Sequence, residues 1–172
     1  MQEQRKYIRH KPTTYLIRDE IEEIVKKKTI DRNRFHEYSK SGYSDIIKKF
    51  YYGFIESETF LYKKDQLHYL WLHFRKELES ISLAGSVNSS LDDNLLKITE
   101  YLKNKEDESF FLIISEGWVY EGYPDEMLSV LASTDDMLLE DFYIISPDFK
   151  WCIAYCDDGN CSVLYKKEDQ LL

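Results

Sequence analysis

The residues in this sequence whose types could do chemistry are carboxylates, which occur as adjacent pairs in the C-terminal half of the chain. Paired carboxylates can bind a divalent metal or act as general acid and base. Adjacent residues on a strand point to opposite faces of the sheet, so such a pair is a poor chelator. We therefore interpret these charges as solvated turn and rim charges, with a partner-facing acidic surface and a catalytic site as alternatives. The pairs are Asp135-Asp136, Glu140-Asp141 and Asp157-Asp158.

Cysteine and histidine form no pattern typical of a metal site or a nucleophile. Cys152 and Cys156 share one face of a predicted strand, and Cys161 could face Cys156 across a hairpin. A zinc site needs about four ligands, and all four histidines lie in the predicted helical half of the chain. The sequence contains no HExxH motif, no glycine-rich nucleophile elbow and no phosphate-binding loop. We expect reduced thiols, no metal, no cofactor and no enzymatic activity.

The acidic residues are concentrated in a stretch that also carries a core. Between Lys105 and Lys150 there are twelve Asp or Glu residues and neither Lys nor Arg. Disordered acidic segments lack aromatic surface, whereas this stretch includes Phe110, Trp118 and Tyr143. A folded face of one charge sign favours a partner of the opposite sign, because its field raises association rates and selects partners.

The charge of the whole chain constrains its partners further. The net charge is −9, and it divides into +5 over residues 1–49 and −14 over residues 50–172. An acidic domain repels phosphate backbones, so nucleic-acid binding would have to use the basic N-terminal part alone. The sequence contains no apolar run of membrane-spanning length, and it begins without the apolar region of a secretory signal. We expect a cytoplasmic protein that does not bind membranes.

Apolar spacing predicts that the first part of the chain is helical. Residues 1–12 are predicted to be a flexible arm, and residues 59–62 a short strand or a link. Ser44 and Asp65 are predicted helix caps, and Ser90 with Asp93 resembles a capping box. Residues 83–90 read as a loop. The predicted helices cover residues 15–28, 31–40, 45–55, 66–81 and 91–103.

The last part of the chain is predicted to be mostly strands. Pro124 at a first helical position predicts one short helix within it. The order of elements argues for one α+β domain over residues 1–172, mainly helical over 13–104, with mainly antiparallel strands over 105–172 that end in a β-meander. The oligomeric state and the strand order stay open. Strands are predicted at 110–115, 140–146, 149–156 and 161–166, and 118–123 is a strand or a loop.

Three segments, 110–123 (FFLIISEGWVYEGY), 126–131 (EMLSVL) and 140–155 (EDFYIISPDFKWCIAY), resemble small bacterial proteins of polymorphic toxin systems. The last one is similar to the C-terminal end of an uncharacterised bacterial family found near toxin loci. Tyr69–Trp71 suits the Trp-bearing helix of that family. Where the family has a His-His pair, this chain has Cys156-Asp157-Asp158, so no histidine role carries over.

The chain also resembles immunity proteins of contact-dependent growth inhibition, which are small, cytosolic, often acidic proteins that bind one cognate toxin. This resemblance implies neutralisation of a bacterial toxin, such as a basic nuclease, by occlusion of its active site or a nearby surface. The alternative is a module that binds single-stranded nucleic acid through the basic N-terminal half. The candidate partner-binding residues are Glu121, Tyr123, Asp125, Glu126, Asp135, Asp136, Asp157 and Asp158.

Overall fold

The computed structural model describes residues 13–58, 67, 70–85, 89–114 and 117–167. The predicted arm over 1–12, the predicted strand or link over 59–62 and the predicted cap Asp65 lie outside the described residues.

The described chain forms a seven-stranded sheet in which every neighbouring pair of strands is antiparallel. The strand order is β1-β4-β3-β5-β6-β7-β2, so β5, β6 and β7 form the predicted C-terminal meander. The predicted α+β class is therefore confirmed. The strands are β1 (Phe35–Glu37), β2 (Glu79–Ser82), β3 (Phe110–Ile114), β4 (Val119–Gly122), β5 (Phe142–Ile145), β6 (Trp151–Tyr155) and β7 (Cys161–Tyr165).

Helices cover both faces of this sheet, which explains why its central strands are apolar on both sides. One face packs on α1 (Thr13–Lys27), α3 (Leu91–Leu102) and α4 (Pro124–Leu131). The other packs on α2 (Tyr43–Phe54). Among the described residues, no helix combines the length and the apolar composition needed to cross a membrane.

The prediction of a helix over residues 66–81 is wrong within its described part. Leu70–His73 forms a single 3₁₀ turn, and the chain then continues into β2. The backbone bonds that a helix would make locally are made to distant partners instead. The Arg75 amide donates to the Phe54 carbonyl, and Ile81 pairs with Val163. Tertiary pairing has overridden a helical spacing of apolar residues.

The predicted helix over 31–40 is also wrong, because Phe35–Glu37 adds to the sheet as β1. Phe35 pairs with Gly122 and stacks on Tyr120 with 5.2 Å between ring centroids. Gly122 permits this approach, since a Cβ there would lie 2.6 Å from the Phe35 ring. The predicted cap at Ser44 is wrong as well. Helix α2 begins at Tyr43, and its N-cap is Gly42, which makes no side-chain capping bond.

The sheet has two ends, which we name by a residue at each. At the Tyr155 end, β6 finishes at Tyr155 and β5 begins at Phe142 opposite it. At the Gly122 end, β4 finishes at Gly122, opposite Phe110 at the start of β3. Helix α4 begins just after Gly122 and leads back towards the start of β5.

Candidate protein-binding surface

The structure divides the eight predicted contact residues between the two ends of the sheet. Glu121 is the penultimate residue of β4, and the next three lie at the start of α4, all at the Gly122 end. The other four lie in the loops that precede β5 and join β6 to β7, at the Tyr155 end. They therefore form two surfaces rather than one. The Gly122 group is Glu121, Tyr123, Asp125 and Glu126, and the Tyr155 group is Asp135, Asp136, Asp157 and Asp158.

The Gly122 group is largely engaged in contacts within the molecule. Arg34 Nε donates to Glu126 Oε1 at 2.5 Å, and the Arg34 guanidinium lies 4.3 Å from the centroid of the Tyr123 ring. The bond to Glu126 raises the pKa of Arg34, so the guanidinium stays charged. Glu121 accepts from Ser109 Oγ at 3.2 Å. The Arg34 contacts link the start of α4 to the segment before β1. Within the group, only Asp125 is exposed, and the other three residues are partly buried.

The Tyr155 group is solvent-exposed at all four carboxylates. Residues 132–141 and 156–160, which form the two loops, contain neither Lys nor Arg. Burial, with smaller contributions from charges that include those of Asp157 and Asp136, raises the pKa of Tyr155 to about 12. Because β5 begins at Phe142, directly opposite Tyr155 where β6 ends, the two loops lie side by side at this end of the sheet.

Hydrogen bonds hold both loops in place. The Asp135 amide donates to Glu20 Oε1 of α1 at 2.6 Å, and Asp135 Oδ1 accepts from the Met137 amide at 3.0 Å. In the β6–β7 turn, Asn94 Nδ2 of α3 donates to the Gly159 carbonyl at 3.1 Å. Gly159 has a φ of 87°, a conformation that favours glycine. The acids are thus presented on ordered backbone, which lowers the entropy lost on binding.

An apolar side chain lies within this acidic surface. Met137 follows Asp135 and Asp136 in the same loop, and its side chain is 85 % exposed. Two residues later, Leu139 is 1 % exposed and belongs to the core. An apolar residue surrounded by charged residues is typical of the anchor of a protein interface. Met137 is not among the contact residues predicted from the sequence. The only sequence signal for it is its position directly after an acidic pair.

The acidic pairs do not behave alike. Asp135-Asp136 and Asp157-Asp158 lie in loops, which agrees with their interpretation as solvated turn charges. In the third pair, Asp141 is 4 % exposed whereas Glu140 is exposed. Among the described residues, no three His, Cys, Asp or Glu side chains converge as ligands of a metal ion.

The three thiols are free and buried. Cys161 lies opposite Tyr155, so the suggestion that it could face Cys156 across the hairpin is wrong. Burial raises the pKa of Cys161 to about 12. Burial and a hydrogen bond to Asp158 raise the pKa of Cys156 to about 12. A thiol reacts as its thiolate, so these shifts favour a structural role for the cysteines.

A comparison with protein-family models places the chain in a family. The model of a family of unknown function, DUF6756, matches residues 13–172. The chain belongs to DUF6756. No curated protein and no solved structure matches it significantly. Within this DUF6756 chain, the match covers all seven strands and four α-helices together with both groups of acidic residues.

Proposed function

We propose that this protein binds a basic partner protein, and that the partner is a bacterial toxin which it neutralises as an immunity protein. The observation that carries the proposal is the Tyr155-end surface, where an 85 % exposed Met137 lies beside carboxylates in loops that contain no Lys or Arg. An apolar anchor supplies affinity once water is excluded, whereas surrounding charges supply steering and register. The toxin part of the proposal rests on the resemblance of the C-terminal segments to proteins of toxin systems.

The charge of the surface favours a partner with a basic cleft, such as a nuclease that binds phosphate backbones. Lysine and arginine side chains of such a cleft would meet Asp135, Asp136, Asp157 and Asp158, which are all exposed. Seating the two loops over the cleft would keep the nucleic-acid substrate out. Neutralisation would then need no chemistry by the protein itself.

Contacts in the N-terminal half argue against the nucleic-acid alternative. Arg18, Arg32 and Arg34 form ion pairs with Glu37, Glu22 and Glu126, respectively. A guanidinium that already pairs with a carboxylate contributes little to counterion release from a phosphate backbone. Helices also cover both faces of the sheet, so fully buried rings such as those of Phe110 and Tyr143 are not available to stack on a base.

The test is co-expression with the product of the gene directly upstream. We expect rescue of growth and co-purification of the two proteins. The double charge reversal Asp135→Lys/Asp136→Lys should weaken the complex. The control is Glu106→Lys/Asp107→Lys, which makes the same charge change at exposed residues just before β3, at the Gly122 end.

The outcomes separate the parts of the proposal. No rescue and no complex would refute the immunity function for that partner. A complex that both charge-reversed variants weaken equally would show that net charge, rather than the Tyr155-end surface, determines binding.

A further inference from the structure

The sheet ends in an edge strand, β2, whose outer side pairs with no other strand among the described residues. Strand β2 (Glu79–Ser82) is last in the strand order and, within the described ranges, pairs with β7 alone. All four of its residues are exposed, and the Ile81 side chain is 54 % exposed. The strand contains no proline, and its register with β7 is continuous, without a bulge. Proline residues and β-bulges are two of the features by which proteins commonly block an edge strand, and β2 has neither.

The ladder determines which backbone groups of β2 point outwards. The Leu83 amide donates to the Cys161 carbonyl at 2.8 Å, and the Lys166 amide donates to the Lys150 carbonyl at 2.9 Å. Hydrogen-bonded and non-hydrogen-bonded pairs alternate along antiparallel strands. The backbone groups of Glu79 and Ile81 therefore face β7, and those of Ser80 and Ser82 face away from the sheet. These outward groups can receive a further strand.

A groove beside this edge is lined by more basic than acidic side chains. It has a volume of about 620 Å³, and three lysines and one glutamate line it in a chain whose net charge is −9. Its apolar lining is formed by Ile81, Trp151 and Tyr165. The lysines are Lys150, Lys166 and Lys167, and the glutamate is Glu79.

The aromatic floor of the groove is held rigid by its neighbours. The Trp151 ring lies 5.4 Å from the Phe110 ring and 5.6 Å from the Tyr101 ring, measured between centroids. The Tyr101 and Tyr165 hydroxyls are joined by a hydrogen bond. A floor that is already ordered loses little entropy when a ligand covers it.

We propose that β2 and this groove bind an extended acidic segment of a partner protein by strand addition. The segment would pair with the outward backbone groups of Ser80 and Ser82. Because side chains of a strand alternate between faces, every second residue of the segment would lie over the groove. The Lys166 ammonium already lies 4.8 Å from the centroid of the Phe54 ring, and Lys150 forms an exposed ion pair with Asp148 at 3.8 Å. Acidic residues of the segment would therefore meet Lys167 and the exposed Lys150, and apolar residues would cover Ile81 and Trp151. Strand addition of this kind takes its affinity from the backbone and its specificity from alternate side chains.

This surface goes beyond the proposed function. It lies at the β2 edge near the Gly122 end, whereas the Met137 surface lies at the Tyr155 end, and the two have opposite charge. One partner contact would be basic and the other acidic.

In the test, random nine-residue peptides displayed on phage are selected for binding to this protein. We expect enriched sequences with Asp or Glu at alternate positions. The strongest peptide is then synthesised and its affinity measured by fluorescence anisotropy. Lys150→Glu/Lys167→Glu should weaken its binding about tenfold or more, since both lysines line the groove. Lys103→Glu, at an exposed lysine outside the groove, should leave it unchanged.

The backbone part of the proposal is tested on the unmodified protein. Two versions of the peptide are made, one N-methylated at the odd-numbered amides and one at the even-numbered amides. Each version therefore loses the hydrogen-bond donors along one edge of the peptide strand. Strand addition predicts that one version binds about tenfold more weakly and that the other binds normally. In the protein, Ser80→Pro removes an outward donor without removing a bond to β7, and should reproduce the loss.

Three outcomes would overturn the proposal. The first is selection without enrichment of acidic peptides. The second is equal binding of the two N-methylated peptides, which would indicate a contact by side chains alone. The third is a concentration-dependent dimer in sedimentation velocity that Ser80→Pro abolishes, which would make a second copy of the chain the occupant of the edge.

Discussion

Glu37 is the residue whose contacts most clearly predict a pH-dependent contribution to stability. Arg18 donates to both of its carboxylate oxygens, at 3.1 and 2.6 Å, and the Tyr43 hydroxyl donates at 2.6 Å. Burial alone would raise the pKa of Glu37, but the hydrogen bonds from Arg18 and Tyr43 outweigh it and lower that pKa below its ordinary value of 4.5. The carboxylate is thus more stable in the folded protein than in the unfolded chain.

We expect Glu37→Gln to lower the free energy of unfolding by about 2 kcal/mol near neutral pH, because it removes bonds to a charged acceptor. A lowered folded-state pKa stabilises the protein above the unfolded-state pKa, and this stabilisation is lost as the pH falls through the folded-state value. The difference between wild type and variant in urea denaturation should therefore shrink below the ordinary Glu pKa of 4.5. A constant difference across that range would contradict the assignment. Tyr43→Phe, which leaves the charge in place, should keep the acid dependence.

Met137 and Leu139 offer a matched pair for separating binding from stability. Met137 is 85 % exposed and Leu139 is 1 % exposed. Met137→Ala should change the free energy of unfolding by less than about 0.5 kcal/mol and should weaken the complex with the proposed partner protein. Leu139→Ala should destabilise the fold by about 2–5 kcal/mol. Thermal unfolding and binding titrations of both variants measure the two effects. Unchanged binding of the proposed partner by Met137→Ala would refute the role of Met137 as an anchor.

The contact that joins the start of α4 to the segment before β1 could not be predicted from the sequence. Arg34 engages Glu126, which is 92 positions away, and no local pattern indicates such a pair. The eight predicted acids and aromatics could be named from their types and neighbours. Their division between two ends of the sheet depends on the direction of α4, which follows from packing alone.

At the scale of elements, α3 shows a local signal that decides the structure. Ser90 Oγ accepts from the Asp93 amide at 3.1 Å, and Asp93 Oδ2 accepts from the Ser90 amide at 3.4 Å. This is the predicted capping box, and the helix begins at Leu91 as expected. Such signals explain why the meander of β5, β6 and β7 was also predicted, since its turns lie between consecutive strands.

Ser90→Ala should lower the free energy of unfolding by about 1 kcal/mol, because the first turn of α3 loses an acceptor for its free amides. Ser90→Thr keeps the hydroxyl and should retain most of the stability. Chemical denaturation of the two variants measures the difference. Equal stability of Ala and Thr variants would show that the cap contributes little here.

Strands β1 and β2 show where local signals fail. Their partners are β4 and β7, so Phe35 pairs with Gly122 and Glu79 with Tyr165. The spacing of apolar residues in these segments indicates which side chains are buried, but it does not indicate with which strand the backbone forms hydrogen bonds. That strand is known only once the rest of the sheet has formed.

At the scale of the whole molecule, charge should control association with a basic partner. The chain carries −9, with −14 over residues 50–172. We expect the association rate with the proposed basic partner to fall as ionic strength rises, since salt screens the steering field. Asp135→Lys/Asp136→Lys should slow association at low salt and flatten the salt dependence. Stopped-flow measurements at several salt concentrations test this, and an association rate indifferent to salt would refute the electrostatic account.

The strand order also has a consequence for how the sheet opens. Its five inner strands, β4, β3, β5, β6 and β7, come from the continuous segment 110–165, and the outer strands β1 and β2 come from earlier in the chain. Among the described residues, each outer strand pairs along one edge only, so we expect it to detach while the inner ladder stays intact. Amide hydrogens of Phe35–Glu37 and Glu79–Ser82 should exchange with deuterium through partial opening. Those of Ile113 and Ile144 should exchange only when the whole domain unfolds.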